Sequence, residues 1–185
     1  LFNEPETTSV FAHDYFAKVF EKARQSDPQH RPMTGALEKN SSPEKCQCYM
    51  LCDFMCLNRY YGWYINGGTG ITDAMDQFRD EMNRWSKVNP GVPVVFTEFG
   101  SDTLSTEHKI PSVMWSQEYQ VDYLERNFEV FDAYDFIQGE LVWNFADFQT
   151  TEGIFRVNGN KKGIFTRQRQ PKDAAFVMKK RWEKK

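Results

Sequence analysis

With 185 residues, the chain is long enough for one sizeable hydrophobic core, and its composition does not require two domains. Its 23 Lys and Arg residues against 26 Asp and Glu residues give a formal charge of -3, which offers no electrostatic argument for binding nucleic acid or an anionic membrane. The sequence holds no apolar run of about 18 residues, so no segment is predicted to span a bilayer.

The first half of the chain alternates between strand-like and helix-like segments. It opens in an apolar segment that ends at Glu4, and the start at Leu1 rather than at a Met leads us to expect the true N-terminus elsewhere. Apolar residues recur at helical spacing over 13–26, which predicts a helix. Short strands are predicted over 32–35 and over the apolar run 54–58, with a polar loop between them.

The second half continues the same alternation. Thr72 is a suitable N-cap, with acidic residues in the turn that follows it. The predicted elements are a helix from Thr72 to Trp85, a strand over 94–97, a helix over 115–132, a strand over 139–143 and a last helix over 173–182. A long glycine-containing loop separates the last strand from the last helix.

This alternation predicts an α/β fold with parallel strands, either an open sheet or a barrel. Five strand candidates and about four helices are too few to close an eight-stranded barrel. Because the chain also opens on a strand, we interpret it as the C-terminal part of a (β/α)8 TIM barrel that is incomplete in this chain.

Two glutamates lie where predicted strands end. Glu4 follows the opening segment, and Glu98 follows the apolar run 94–97. The carboxyl ends of parallel strands form the rim at which ligands bind, so two acids there suggest paired acid/base or nucleophilic chemistry on one substrate bond. The alternative is that each glutamate only stabilises the N-terminus of the next helix.

All four cysteines lie between Cys46 and Cys56. Their spacing matches neither paired zinc knuckles nor a usual iron–sulfur pattern, and no histidine lies nearby to complete a mixed metal site. We therefore expect free thiols in a reducing compartment and a cytoplasmic location. A zinc-binding cysteine cluster is the alternative, and metal analysis would detect it.

Five motifs give the sequence a specific resemblance. They are Asn3-Glu4-Pro5, N-R-Y-Y-G-W-Y at 58–64, T-E-F-G at 97–100, W-N-F-A-D-F at 143–148 and N-K-K-G-I-F-T-R at 160–167. In this order and spacing, the chain resembles the β-glucuronidases of glycoside hydrolase family 2 over essentially its whole length. The resemblance implies that residues 1–185 are a partial TIM-barrel catalytic domain, from about strand four to the last helix.

The resemblance also implies the roles of the residues that carry chemistry. Glu4 would be the general acid/base, and Glu98 would be the nucleophile of a retaining mechanism. Asn3 would hydrogen-bond the sugar 2-hydroxyl, and Tyr60 would hydrogen-bond the nucleophile. Tyr64, from the same aromatic loop, is a further candidate for contact with the sugar, with packing under the barrel rim as the alternative.

Substrate recognition would use residues nearer the C-terminus. Trp143, at the end of the eighth barrel strand, would form the floor under the sugar ring. Asn160 and Lys162 would together recognise the C6 carboxylate that distinguishes a glucuronide from a glucoside. Arg156 is a weaker candidate for a second cation near that carboxylate.

The predicted activity is hydrolysis of β-glucuronides to glucuronate and an alcohol, with no metal or organic cofactor. The predicted partner is a small-molecule glucuronide or a glycan containing glucuronic acid, and the full-length protein is expected to be a homo-oligomer. Two alternatives stay open: another family 2 glycosidase, such as a β-galactosidase or galacturonidase, and an inactive carbohydrate-binding fragment. We expect the isolated chain to be inactive, because its barrel edges would be exposed.

Overall fold

The structure, a computed structural model, describes residues 1–184. The described chain contains four helices and four strands, which alternate except that the first two strands follow one another. In order they are α1 (Ala12–Ser26), β1 (Ala36–Leu37), β2 (Met55–Asn58), α2 (Ile71–Val88), β3 (Val94–Glu98), α3 (Gln117–Asp132), β4 (Ile137–Glu140) and α4 (Asp173–Trp182). Short 3-10 turns lie at Tyr49–Leu51 and Gly68–Gly70. The four predicted helices are confirmed, with ends that differ by a few residues.

The strands form one sheet in the order β1-β2-β3-β4. The β1–β2 and β3–β4 pairs are parallel. Helix α3 connects β3 to β4, as is usual for parallel neighbours, whereas the segment between β1 and β2 contains only the 3-10 turn at Tyr49–Leu51. The opening segment pairs with the sheet only at an isolated parallel bridge between Asn3 and Ala36. Parallel strands place their carboxyl ends at one edge, where Asn58 and Glu98 are the last residues of β2 and β3.

The chain divides into two compact units. The first unit comprises Leu1–Arg59, Arg79–Thr97 and Tyr134–Glu140, and the second unit comprises Tyr60–Phe78, Glu98–Ala133 and Leu141–Lys185.

The first unit is built around the sheet and α1. One face of α1 buries Phe16 and Phe20, and Phe20 packs with Met33 and Cys52. A buried ion pair lies elsewhere in the unit, where Arg59 contacts Glu81 at 2.7 Å. All four cysteines are free thiols and buried, and desolvation raises the pKa of Cys48 to about 12, so that thiol is protonated at neutral pH.

The second unit has an aromatic core and a helix pair. Helix α3 is capped by Ser116, whose hydroxyl accepts from the backbone N–H of Tyr119. Phe131 of α3 packs edge-on against Phe78 and Phe99. Helix α4 lies against α3, and its Arg181 forms an exposed pair with an aspartate of that helix.

Three predicted boundaries are wrong. The strand predicted over 32–35 begins instead at Ala36, because the backbone of the opening segment pairs there. Thr72 does not cap α2: the Gly68–Gly70 turn leads directly into the helix, so Thr72 is its second residue. The strand predicted over 139–143 is β4, which ends at Glu140, so Trp143 lies beyond it. The backbone N–H of Trp143 still donates to the carbonyl of Phe99, the residue that follows β3.

No helix within residues 1–184 combines the length and the apolar character needed to cross a bilayer.

Candidate active site

In the first unit, the candidate acid/base lies where the opening segment leaves the sheet. Glu4 donates its backbone N–H to the carbonyl of Ala36 at 2.9 Å. Its φ of 50° lies in the left-handed region, which is uncommon for a residue with a side chain and is often found at functional sites. The side chains of Asn3 and Glu4 are both exposed in this chain.

Asn58 joins these two candidates and was not predicted as a site residue. Its Nδ2 donates to Oε1 of Glu4 at 2.9 Å and to Oδ1 of Asn3 at 3.2 Å. Its Oδ1 accepts from the hydroxyl of Thr97 at 2.6 Å. The sequence could have indicated Asn58, because it ends a predicted strand just before the loop, as Glu98 does. An uncharged amide at that position is, however, common without a functional role.

In the second unit, the candidate nucleophile has the partner that the sequence predicts. Glu98 is the last residue of β3, and Tyr60 donates its hydroxyl to Oε2 of Glu98 at 2.7 Å. Burial raises the pKa of Tyr60, and the hydrogen bond to the Glu98 carboxylate raises it further. Tyr60 is therefore a neutral donor at neutral pH, and it favours the ionised form of Glu98.

Two cations meet at one phenolic oxygen in the second unit. The hydroxyl of Tyr64 accepts from Nζ of Lys162 at 2.8 Å and from Nη2 of Arg156 at 3.0 Å. The Lys162 ammonium also lies 4.7 Å from the centroid of the Tyr64 ring, a cation–π distance. Asp102 forms an ion pair with Lys162. We call Tyr64, Asp102, Arg156 and Lys162 the Lys162 cluster.

Asp102 is a second residue that sequence reasoning missed. Its carboxylate is fully buried and accepts from Lys162 Nζ and from the backbone N–H of Lys161 at 2.8 Å. Its Oδ2 lies 3.8 Å from Nη1 of Arg156. Two cations and one carboxylate leave the cluster with one net positive charge, which matches one anionic group.

Asn160 supports the cluster through the backbone. Its Oδ1 accepts from the N–H of Lys162 at 2.9 Å, and its main chain bonds Phe148 in both directions. Its Nδ2 has no acceptor among residues 1–184 and remains able to donate. Asn160 and Lys162 are nearly fully buried, whereas Tyr64 and Arg156 are 48% and 30% exposed and form the open side of the cluster.

Trp143 lies at the start of the loop that carries these residues. It is 36% exposed, and its ring meets that of Phe148 edge-on at 6.1 Å. Its peptide bond to Asn144 is cis. The N–H of Asn144 donates to the carbonyl of Lys162 at 3.2 Å, which ties this segment to the Lys162 cluster.

Within the described part of the chain, His108, Glu118 and Asp173 form the group whose geometry could hold a metal ion, with ligand atoms within 4.8 Å of one another. Two of these side chains already form hydrogen bonds within the protein. Nδ1 of His108 lies 2.9 Å from the Glu118 carboxylate, which also accepts from the N–H of Lys109. These bonds lower the pKa of Glu118 to about 2, the Lys109 N–H contributing most.

Comparison with known proteins places these residues in a family context. The sequence profile described as "Glycosyl hydrolases family 2, TIM barrel domain" matches residues 1–185. A β-glucuronidase of Paenibacillus borealis is 45% identical over 182 residues, which is 98% of this chain and 30% of that protein. The chain therefore spans about three tenths of the length of the curated relatives that it matches.

Solved structures of a β-glucuronidase are also similar to this chain. The crystal structure of Ruminococcus gnavus β-glucuronidase has a TM-score of 0.97 and 66% identity, covering 99% of this chain and 31% of that chain. The same enzyme in complex with D-glucuronic acid has a TM-score of 0.95 and 66% identity, covering 97% of this chain and 31% of that chain. The predicted fold class, part of a TIM barrel, is confirmed.

Proposed function

The chain belongs to glycosyl hydrolase family 2, within the TIM barrel domain of that family, and from this premise we propose that residues 1–185 form part of the catalytic domain of a retaining β-glucuronidase. The proposed reaction is hydrolysis of a β-glucuronide to glucuronate and an alcohol. The similarity to β-glucuronidases, one of which is solved with D-glucuronic acid, supports this substrate class.

The observation that carries the proposal is the convergence of Lys162 and Arg156 on the Tyr64 hydroxyl. A glucuronide differs from a glucoside by the carboxylate at C6, and a site with charged donors binds that carboxylate more tightly than the hydroxyl of a glucoside. The Lys162 ammonium has three N–H groups, of which two bond Tyr64 and Asp102. The substrate carboxylate is proposed to approach the open side of the cluster and to accept the third N–H and the Arg156 guanidinium.

The amide of Asn160 supplies an uncharged donor to the same carboxylate. Because the Oδ1 of Asn160 is held by the Lys162 N–H, its Nδ2 is oriented away from that bond. Charge-assisted hydrogen bonds of this kind are about twice as strong as neutral ones. A site built to bond a charged group rejects an analogue that lacks it, since the donors are then left buried without a partner.

In the first chemical step, the Glu98 carboxylate attacks the anomeric carbon and the bond from that carbon to the glycosidic oxygen breaks. Glu4 donates its proton to that oxygen, so the aglycone leaves as a neutral alcohol. The product is a glycosyl ester of Glu98. The Tyr60 hydroxyl supports this step, because its hydrogen bond stabilises the negative charge of the attacking carboxylate and fixes one of its oxygens.

In the second step, the Glu4 carboxylate removes a proton from water. The water oxygen attacks the anomeric carbon, the ester bond to Glu98 breaks, and glucuronate leaves with the original β configuration. Glu4 is then protonated again and Glu98 is ionised, as at the start. A retaining mechanism requires carboxyl groups separated by about 5–5.5 Å.

Asn3 and Trp143 are proposed to hold the sugar. The amide of Asn3 donates to the 2-hydroxyl, a bond that strengthens as positive charge develops at the anomeric carbon. The face of the partly exposed Trp143 ring supports the apolar face of the sugar. No step of this mechanism uses a cofactor. The homo-oligomer of the full-length protein stays a prediction.

The test is to assay the full-length protein with the 4-nitrophenyl β-glycosides of glucuronic acid, glucose, galactose and galacturonic acid. We expect kcat/KM for the glucuronide to exceed that for the glucoside by about 10⁴-fold or more, the selectivity typical of a site with dedicated polar donors. Proton NMR of the first-formed product should show the β-anomer. Preference for a galactoside or galacturonide, or no hydrolysis of any of the four substrates, would contradict the proposal.

A further inference from the structure

The amide of Asn58 uses all its hydrogen bonds on the candidate catalytic residues and on Thr97. Asn58 is only 2% exposed, so these bonds have little competition from water. Both hydrogens of its Nδ2 are engaged, one by Asn3 and one by Glu4, while its Oδ1 accepts from the Thr97 hydroxyl. An amide offers two donor hydrogens and one carbonyl, so neither end of this group is idle.

The chemistry of the partners determines which way the amide faces. A carboxyl oxygen that carries no proton can only accept, so the nitrogen of Asn58, not its oxygen, must lie 2.9 Å from Oε1 of Glu4. Its oxygen then faces the Thr97 hydroxyl, which must donate. Thr97 therefore fixes the Asn58 amide in the orientation that serves Glu4.

The same bonds set the orientation of both candidate residues. Because Oδ1 of Asn3 faces Asn58, the Nδ2 group of Asn3 faces the other way, where it can donate to a ligand. In Glu4, Oε1 is held and Oε2 remains to carry the transferred proton. Among residues 1–184 Asn58 is the one donor to the Glu4 carboxylate, and the Glu4 side chain is otherwise exposed.

Asn58 is itself held in place by the residue that follows it. The buried guanidinium of Arg59 donates to the carbonyl of Asn58 at 2.9 Å and to that of Leu37 at 2.7 Å. It therefore ties together the ends of strands β2 and β1. The ion pair between Arg59 and Glu81 anchors that guanidinium. An amide on such a rigid support can fix the side chains that it contacts.

We propose that Asn58 is a positioning residue for the reaction: it aims the Asn3 amide at the sugar 2-hydroxyl and holds the Glu4 carboxyl in the orientation for proton transfer. This inference rests on the proposed function for the identity of the substrate, and on the hydrogen bonds above for the positioning. It adds Asn58 and Thr97 to the residues on which the chemistry depends.

The test compares Asn58→Ala, Asn58→Asp and Thr97→Val in the full-length protein, with Asn40→Asp as the control. Asn40 is an exposed asparagine of the same unit and is remote from these bonds. Crystal structures of wild type and Asn58→Ala give the first readout. We expect the Glu4 side chain to leave its wild-type rotamer or to lose density, and the Asn3 amide to turn.

The dependence of kcat/KM on the leaving group gives the second readout. Because the Glu4 carboxyl gives its proton to the departing glycosidic oxygen, its misplacement slows a substrate with a poor leaving group more than one with a good leaving group. We expect kcat/KM for an alkyl glucuronide to fall by about 10- to 100-fold in Asn58→Ala, the scale of a misplaced catalytic group, and by less for the 4-nitrophenyl glucuronide.

Thr97→Val keeps the shape of the side chain and covers the case in which the Asn58 variants do not fold. We expect a smaller loss of kcat/KM for the alkyl glucuronide, and no loss in Asn40→Asp. An unmoved Glu4 in the variant structures, or equal losses for the two substrates in Thr97→Val and the Asn58 variants, would overturn the positioning role. If Glu4 moves but the wild type hydrolyses no glucuronide, the positioning stands and the proposed function fails.

Discussion

The hydroxyl of Tyr60 donates a 2.7 Å hydrogen bond to Oε2 of Glu98, the last residue of strand β3. This bond joins residues 38 positions apart in the sequence. Both burial and the Glu98 carboxylate raise the pKa of Tyr60, so the phenol keeps its proton over the whole range of a normal assay. In the proposed reaction, Tyr60 therefore acts through its hydrogen bond to Glu98 and not through its own titration.

We expect Tyr60→Phe to lower kcat by about 10- to 100-fold, because a hydrogen bond to a charged group contributes about 1.5–3 kcal/mol. Loss of the donor makes ionisation of Glu98 less favourable, so the pKa of Glu98 rises. Since the nucleophile must be ionised, the acidic limb of the kcat/KM profile moves to higher pH. Tyr15→Phe, on the exposed face of α1, is the control. An unchanged acidic limb in Tyr60→Phe would mean that the bond does not tune Glu98.

Substitution of the two glutamates, followed by rescue with azide, separates their roles. In Glu98→Ala the nucleophile is absent, so azide attacks the substrate directly and yields the α-glucuronyl azide. In Glu4→Ala the glycosyl-enzyme still forms from a substrate with a good leaving group, and azide then yields the β-glucuronyl azide. Each variant should lose at least about 10³-fold in kcat for a poor leaving group. Products of the opposite configurations would reverse the assignment, and NMR of the azides distinguishes the cases.

Lys162→Ala should abolish the preference for glucuronides. We expect kcat/KM for the glucuronide to fall by at least about 10²-fold, because its carboxylate loses the Lys162 ammonium as a partner. The glucoside has no carboxylate, so its kcat/KM should change little. Lys161→Ala is a matched control, since its ammonium is not part of the Lys162 cluster. A glucuronide-to-glucoside ratio that barely changes in Lys162→Ala would disprove the carboxylate assignment.

Asp102→Asn should reduce stability as well as specificity. The substitution leaves the ammonium of Lys162 buried without its ion-pair partner, and both side chains are at most 1% exposed. Removing one partner of such a pair costs about 3–5 kcal/mol in the free energy of unfolding, measured by denaturant titration. The double variant Asp102→Leu, Lys162→Met removes both charges, and we expect it to recover most of that stability without glucuronide preference. Equal stability of Asp102→Asn and wild type would contradict this account.

Much of the fold was predictable because its signals are local. Apolar periodicity located all four helices, and short apolar runs located β2 and β3. The boundaries that failed depend on distant partners. Strand β1 forms where the backbone of Ala36 bonds the opening segment, and Trp143 lies beyond β4 although its N–H still bonds the Phe99 carbonyl. No pattern within a few residues encodes those contacts.

The sequence by itself determined the residue types and motifs, from Glu4 and Glu98 to Asn160 and Lys162, because such charged and polar groups leave a signature in their flanking residues. Only the tertiary structure decided how those groups are held. Asn58 bonds Glu4 across 54 positions, and Asp102 pairs with Lys162 across 60. Such bonds depend on which strand ends and loops meet in space, and a buried amide or carboxylate that serves a distant neighbour looks ordinary in its own segment.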